Sequence, residues 1–284
     1  MMRKYSALTL FYVFSLPATA ASLPQALSVP GGIAQLRLGS ASTPAPEVYY
    51  QQHRVLVIQD QQQWLALVGI PLETTPGTEQ VSVKSGSGTH ELAFSVAYKE
   101  YPAQHLTIKN KRMVTPEPED TLRIKADLEA INQAITTWSD NAQVDTSFIP
   151  PVEGRISGVF GSRRFFNGQA KNPHSGLDLA APAGTPIKAP ADATVISTGN
   201  YYFNGNAVFL DHGQGFITGY FHMTRIAVQP GQRVKSGDIV GTVGATGRVT
   251  GPHLHWNAYL NSTKIDPALL IPDDIPRLQA KNHK

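Results

Sequence analysis

Three short stretches of this chain hold the side chains with evident chemistry. They are "HSGLD", with His174 and Asp178; "GYFHM", with His222; and "TGPHLHWNAYL", with His253 and His255. The sequence has no cysteine, so a metal bound here is bound through nitrogen and oxygen. His174, Asp178 and one of His253 or His255 supply two imidazoles and a carboxylate, a donor set suited to zinc. Three protein ligands with one open position is the arrangement of a catalytic zinc rather than a structural one. Zinc in such a site polarises a carbonyl and draws the pKa of water towards neutrality. His222 and the remaining histidine of the pair can then move protons or stabilise an oxyanion. Spacing alone does not say which of His253 and His255 takes the metal.

Strands must bring these residues together. His253, His255, Asn257 and Tyr259 fall on one face of "HLHWNAYL", and Leu254, Trp256, Ala258 and Leu260 on the other. The apolar face goes to a core, and the polar face points two imidazoles about 7 Å apart into one cleft. By the same period, Phe216, Thr218, Tyr220 and His222 are expected to share a face of a second strand. On a straight strand His174 and Asp178 would lie about 13 Å apart. Gly176 between them is expected to give the backbone the freedom to bend. His212, in "DHG", is expected in a turn or behind the site rather than on the metal. From about Phe148 the chain is short apolar runs broken by glycine, without helical period, and six of the nine histidines lie from residue 174 onward. This is a second all-β unit, with the loops "RRFFNGQAKNP" and "NYYFNGN" as candidate groove walls.

Residues 21 to about 105 also read as strands. "EVYYQQHRVLVIQD" and "QQWLALVGIP" are β-branched-rich runs broken by polar turns, and "ELAFSVAYKEY" alternates. Short strands at this density indicate a small sandwich. Its histidines, His53, His90 and His105, are scattered and read as polar surface. Between the two β units, Ile124, Leu128, Ile131, Ile135 and Trp138 recur at helical spacing after a candidate N-cap, Asp120. This predicts a packed helix that links or braces the halves. The expected fold is therefore mainly β: an N-terminal small β-sandwich-like domain, a linking helix and a C-terminal antiparallel β-sheet domain. The expected boundaries are 21–112, 113–147 and 148–273, with a tail over 274–284.

Residues 150 to 270 resemble the lysostaphin-type zinc metalloendopeptidases, which cleave peptide cross-links in bacterial cell walls. The motifs that carry the resemblance are His174-x-x-x-Asp178, Tyr220-x-His222 and His253-x-His255, in that order, flanked by "GSR", "HSGLDLAAPAGTPI", "DHGQGF" and "GATGRVTGPHLHW". The resemblance implies one zinc held by His174, Asp178 and His255, with His222 and His253 as the catalytic histidines. It implies that the C-terminal domain is a peptidase acting on peptidoglycan stem or cross-bridge peptides. Arg163, in "GSR", and Tyr220 are candidates for contact with the substrate, with two readings open for Arg163, an approach to a substrate carboxylate or a structural pairing. Met223 stands where the family often has leucine. "VPGGIAQLRL", "WLALVGIPLETTPGT" and "EYPAQHLTI" resemble the β domain that precedes the peptidase in some periplasmic members. That domain could dock substrate, occlude the cleft or bind a regulatory partner.

Composition narrows the alternatives. The chain is 41% hydrophobic and 16% charged, with 24 Gly and 21 Pro, and a formal charge of +3. So mild a basicity, without Lys/Arg clusters, gives no case for nucleic acid. Arg3 and Lys4 precede an apolar run, Tyr5 to Pro17, and Ala18-Thr19-Ala20 fits a signal-peptide cleavage pattern. The run is too short to span a bilayer, so residues 1–20 are expected to be removed on export to the periplasm or beyond. Two other readings stand beside the peptidase. One is a non-catalytic scaffold or activator of cell-wall hydrolases, a role taken by relatives that have lost ligands. The other is a carrier domain, from "VQPGQRVKSGDIVGTVG", with Lys235 as its attachment candidate.

Overall fold

The strand Gln63–Gly69 shows how the N-terminal half is layered. Its residues from Leu65 onward are all buried, because both of its faces are covered. Ala66 and Val68 meet Val48, Tyr50, Val81 and Val83 in one core, while Leu65 and Leu67 meet Leu254, Trp256, Ala258 and Leu260 in another. A computed structural model describes residues 22–141 and 143–271 of the chain. The expected signal segment and the tail over 274–284 lie outside these residues. Gln63–Gly69 is the central strand of a three-stranded sheet ordered Ile33–Ser40, Gln63–Gly69, Leu56–Asp60. A four-stranded sheet, ordered His53–Arg54, Glu47–Tyr50, Gly77–Ser85, Gly88–Val96, closes one side as the expected sandwich. The other side packs on the C-terminal sheet. There the buried Asn261 side chain accepts from Gly69 N–H at 2.7 Å and donates to Gly69 C=O at 3.0 Å.

The C-terminal sheet is antiparallel and runs Arg233–Val234, Ala193–Tyr201, Gly205–Asp211, Ile217–Met223, Leu254–Leu260, Leu177–Ala180, Arg155–Gly158. Thr263–Ile265 adds to Leu254–Leu260 from the side. One face carries Val208, Leu210, Tyr220, Leu254 and Trp256 into the main core. On the other face, Phe209, Ile217, Phe221 and Tyr259 meet the helix Thr121–Ile135 through Ala130, Ile131, Ala134 and Ile135. The architecture is thus mainly β, with the helix laid on the C-terminal sheet. A further small sheet pairs Ala103–Leu106 in parallel with Arg163–Phe166, which pairs in turn with Gln169–Lys171.

The helix departs from its predicted packing in two ways. Leu128, expected in the apolar stripe, is 59% exposed, and Leu122 is 81% exposed. The helix packs apolar side chains on the sheet with its C-terminal half only, while its N-terminal half reaches the strand end through Arg123 to Asn200 and Asp127 to Tyr202 N–H. Asp120 stands at the N-cap position but makes no capping bond to the helix. Its carboxylate instead takes Arg112 at 2.7 and 2.8 Å and the Tyr202 hydroxyl at 2.8 Å. Trp138, beyond the helix, stacks under Arg54, whose guanidinium carbon is 4.5 Å from the ring centroid. No helix of the described residues is long and apolar enough to cross a membrane.

The main core contains one buried polar chain. His212 donates from Nδ1 to Asp192 C=O at 3.1 Å, and its Nε2 accepts from the Thr218 hydroxyl at 2.9 Å. Thr218 Oγ1 in turn lies 2.9 Å from the Tyr220 hydroxyl. Burial drives the His212 pKa down from 6.5 to about 4, because the charged imidazole cannot be solvated there.

Two outcomes follow from this packing. Asn261→Ala strands an N–H and a C=O of Gly69 in the layer between the halves, and should lower the unfolding free energy by about 3 kcal/mol in urea titration. His212 contributes its full share of stability above pH 6.5, and that share is lost as the pH falls towards 4, since only the unfolded chain binds the proton in that window. The pH dependence of stability between 4 and 6.5 should therefore weaken by one proton in His212→Gln.

Candidate metal centre

Cross-strand pairing delivers the first two groups. Asp178 on Leu177–Ala180 lies directly opposite His255 on Leu254–Leu260, and Phe221 lies opposite His255 on the next strand. His174 precedes the strand in a separate segment, tied by His174 N–H to Ser162 C=O and by Gly161 N–H to His174 C=O, both at 2.8 Å. The chain therefore turns between His174 and Asp178, and His174 Nε2 comes to 2.9 Å from Asp178 Oδ1. Gly176 sits in that turn for a different reason from the predicted one. Its φ is not positive; rather, a Cβ there would fall 2.1 Å from Asn257 Oδ1 and 2.4 Å from Trp256 C=O. Gly158 serves likewise, since a Cβ would reach within 2.4 Å of Asp178 Oδ2. The glycines let two strands press against the site.

His222 arrives by a strained route. Strand alternation would put it with Tyr220 on the core face. Its φ is +62°, a left-handed conformation that costs a β-carbon-bearing residue on the order of 1–3 kcal/mol. That twist turns the ring to the opposite face, where its centroid lies 5.0 Å from that of His253 and 5.8 Å from that of His255. The expectation that His222 shares a face with Thr218 and Tyr220 is therefore corrected. Tyr220 itself, expected at the substrate, is wholly buried in the core behind the sheet, bonded to Thr218.

The ring tautomers follow from the backbone. A carbonyl can only accept, so the nitrogen facing it must carry the proton. Nδ1–H of His174 donates to Val159 C=O at 2.9 Å, that of His222 to Thr246 C=O at 2.8 Å, and that of His253 to Gly251 C=O at 2.8 Å. In the neutral ring each Nε2 is then an acceptor. His255 differs, presenting Nδ1 to Asp178 Oδ1 at 2.6 Å and to His174 Nε2 at 3.0 Å. Burial drives the His255 pKa down to about 4. His222 is held well below 6.5 by burial and by the neighbouring His255 and His253. Burial opposes charge on Asp178, yet His174 and His255 hold its carboxyl well below the usual carboxylate range. Arg164 adds an ion pair of 2.9 Å to Asp178 Oδ2.

Three lone-pair atoms therefore converge with too few protons between them. With His174 as the neutral Nδ1–H ring, its Nε2 and Asp178 Oδ1 are both acceptors, 2.9 Å apart, and a single proton on His255 Nδ1 could serve only one of its two contacts. Such a cluster is repulsive unless a cation completes it. Among the described residues it is the one group of three or more His, Asp or Glu whose ligand atoms all fit within 4.8 Å. Two imidazole nitrogens and one carboxylate oxygen fit zinc by donor chemistry. His253 stands just outside, with Nε2 3.7 Å from Asp178 Oδ1.

Two arginines at the site carried no sequence signal of their own. Arg163 was a candidate for substrate contact, but its side chain is on the outer face of its strand, exposed. The adjacent Arg164 points inward to Asp178 and is itself held by Gln104 Oε1 at 3.2 Å. Arg248 lies on the loop whose carbonyls at Thr246 and Gly251 hold His222 and His253. Its guanidinium carbon is 4.3 Å from the Phe203 ring centroid and 4.9 Å from that of Phe166.

Comparison with known proteins places the chain. Residues 172–267 match the model of peptidase family M23, and residues 26–99 match the M23 N-terminal domain. A solved structure described as a putative M23 peptidase from Pseudomonas aeruginosa superposes with a TM-score of 0.74 at 43% identity, over 86% of this chain and 95% of that one. The peptidoglycan DD-endopeptidase ShyC of Vibrio cholerae serotype O1 is 42% identical over 132 residues, 46% of this chain and 30% of that protein. The DD-carboxypeptidase/endopeptidase Mpg of Neisseria meningitidis serogroup B is 41% identical over 118 residues, 42% of this chain and 27% of its length. The matched region thus spans under a third of either curated relative. With its motifs, its sheet and nearly the whole length of a solved relative in common, the chain belongs to the lysostaphin-type metallopeptidases of peptidase family M23 and carries the N-terminal domain of that family.

Proposed function

We propose that the protein is an exported zinc endopeptidase that hydrolyses amide bonds in peptidoglycan stem or cross-bridge peptides. The observation that carries this reading is the triangle of His174 Nε2, Asp178 Oδ1 and His255 Nδ1, with sides of 2.6 to 3.0 Å and, between neutral rings, too few protons to satisfy it. These three residues would hold one zinc per chain. When bound, zinc supplies Lewis acidity towards a peptide carbonyl and lowers the pKa of water. The relatives ShyC, a peptidoglycan DD-endopeptidase, and Mpg, a DD-carboxypeptidase/endopeptidase, favour cell-wall peptides as the substrate class. The signal-like segment before Ala21 favours export to where such peptides are.

The chain's own groups then divide the work. His222 and His253 direct their Nε2 atoms beside the metal ligands, an acceptor in each neutral ring, with each ring oriented by a backbone carbonyl. Either can take a proton from an attacking water and return one to the departing amine nitrogen. His222 is the more buried and is kept neutral by its surroundings, which suits a base at neutral pH. Arg164 orients Asp178 by binding its second oxygen, leaving Oδ1 towards the imidazoles. The strain stored at His222 is the cost of placing that ring on the metal side of the sheet.

The direct test is digestion of purified cell-wall sacculi with mass analysis of the released fragments. Cleavage at an amide bond that a chelator abolishes and zinc restores supports the reading; intact sacculi with a zinc-loaded chain support a scaffold instead. Two variants separate the roles. His255→Ala should lose zinc and activity together, and stoichiometric zinc in this variant contradicts the ligand assignment. His253→Ala should keep its zinc while kcat falls by about 100-fold or more. Loss of metal from that variant instead would show that the two histidines exchange roles.

A further inference from the structure

Arg248 is a cation without an anion. Its guanidinium is half-buried between the rings of Phe203 and Phe166. A second cation, Arg164, lies close enough to repel it, its guanidinium carbon 5.8 Å from the same Phe166 ring. Arg164 is neutralised by Asp178. Arg248 has no carboxylate partner among the described residues, and its one side-chain hydrogen bond is a long one, 3.5 Å from Nη1 to Met113 C=O. Burial, first, and the charge of Arg164 lower its pKa to about 10. A desolvated cation beside another is costly unless an anion completes it. The two aromatic faces fix its plane, which pre-organises the donor fork for a bidentate acceptor.

The surroundings give that anion a place. Arg248 lines a cleft of about 240 Å³ between the loop of residues 247–250 and the segment of residues 107–113, with Ile108, Lys109 and Met113 opposite and a second cation, Lys109, at the rim. The same loop carries Thr246 and Gly251, which hold His222 and His253 in place. A group bound by Arg248 therefore docks on the element that positions both proton-transfer rings.

We infer that Arg248 is a specificity-determining residue that binds a free carboxylate of the substrate peptide in the cleft it lines, linked to the metal centre by the Phe166 ring it shares with Arg164, the partner of Asp178. The substrate class is an acidic peptide whose carboxylate lies close to the scissile amide, and Met113 C=O occupies the donor fork until that carboxylate arrives. This deepens the proposed hydrolysis and rests on it for the turnover arm of its test.

The test uses the zinc-loaded full chain and two synthetic cross-linked stem peptides that differ only in a carboxylate or carboxamide next to the scissile bond. The wild-type chain should favour the carboxylate form in kcat/KM by about tenfold or more, the scale of one charge-assisted hydrogen bond. Arg248→Gln should collapse that ratio towards one, chiefly through KM, and Arg248→Lys should restore part of it. Zinc content should match the wild type in both variants. A ratio unchanged in Arg248→Gln, with both substrates slowed alike, assigns Arg248 a structural role and overturns the inference, as does a wild-type chain that treats the two peptides equally. Calorimetric titration with the same peptides separates this claim from hydrolysis itself. Tighter binding of the carboxylate peptide through Arg248, without cleavage of either, sustains the carboxylate site and refutes the activity. Equal binding of both refutes the site.

Discussion

The site depends on one unsatisfied contact, that of His174 Nε2 with Asp178 Oδ1. With the His174 ring neutral, each is an acceptor, because Val159 C=O holds the single ring proton on Nδ1. Folding brings these atoms to 2.9 Å and sets His255 Nδ1 against both. In a buried site such a contact is expensive without a positive charge between the atoms. Sequence neighbours cannot create it; two strands, a turn and two glycines are needed to press the three side chains together. The binding energy of a cation thus becomes folding energy for this corner of the sheet.

The rest of the C-terminal domain can be understood as support for that contact. The antiparallel register sets Asp178 across from His255, and the bulge at His222 breaks alternation so that a third imidazole joins the same face. Backbone carbonyls do the fine orientation, one for each of three rings. Behind the sheet, Trp256, Leu254 and Tyr220 anchor the strands in a core that continues into the N-terminal sandwich through Leu65 and Leu67. The N-terminal layer is therefore part of the foundation on which the site stands. Ala103–Leu106 carries this further by pairing with the strand that presents Arg164.

Much of this was legible in the sequence, and the misses have physical causes. The alternation of Leu254 to Leu260 told its two faces apart because one face is wholly apolar. The same rule failed at His222, where a single left-handed residue reverses the face, and nothing in "GYFHM" announces that conformation. Gly176 was visible as a special position, but a glycine needed for room looks the same in sequence as one needed for freedom. Arg163 and Arg164 are adjacent, so a strand can point only one of them inward. The choice is set by pairing with Ala103–Leu106, a contact between residues some sixty positions apart. Arg248 was hidden for the same reason, since its aromatic neighbours come from elsewhere in the chain, Phe166 from the strand Arg163–Phe166 and Phe203 from the turn after Ala193–Tyr201. Leu128 follows the helical period but lies outside the packed patch, because apolar side chains meet the sheet only over the C-terminal half of the helix while Arg123 and Asp127 make polar contacts at the other end.

The most direct measurement is zinc-edge X-ray absorption on the natively purified chain resupplied with zinc. The account predicts one zinc per chain, with two imidazole nitrogens and one carboxylate oxygen as its protein ligands, and one imidazole fewer in His174→Gln if any metal remains. A chain that retains no zinc with His174, Asp178 and His255 intact, or a zinc bound by three or more imidazoles, would contradict it.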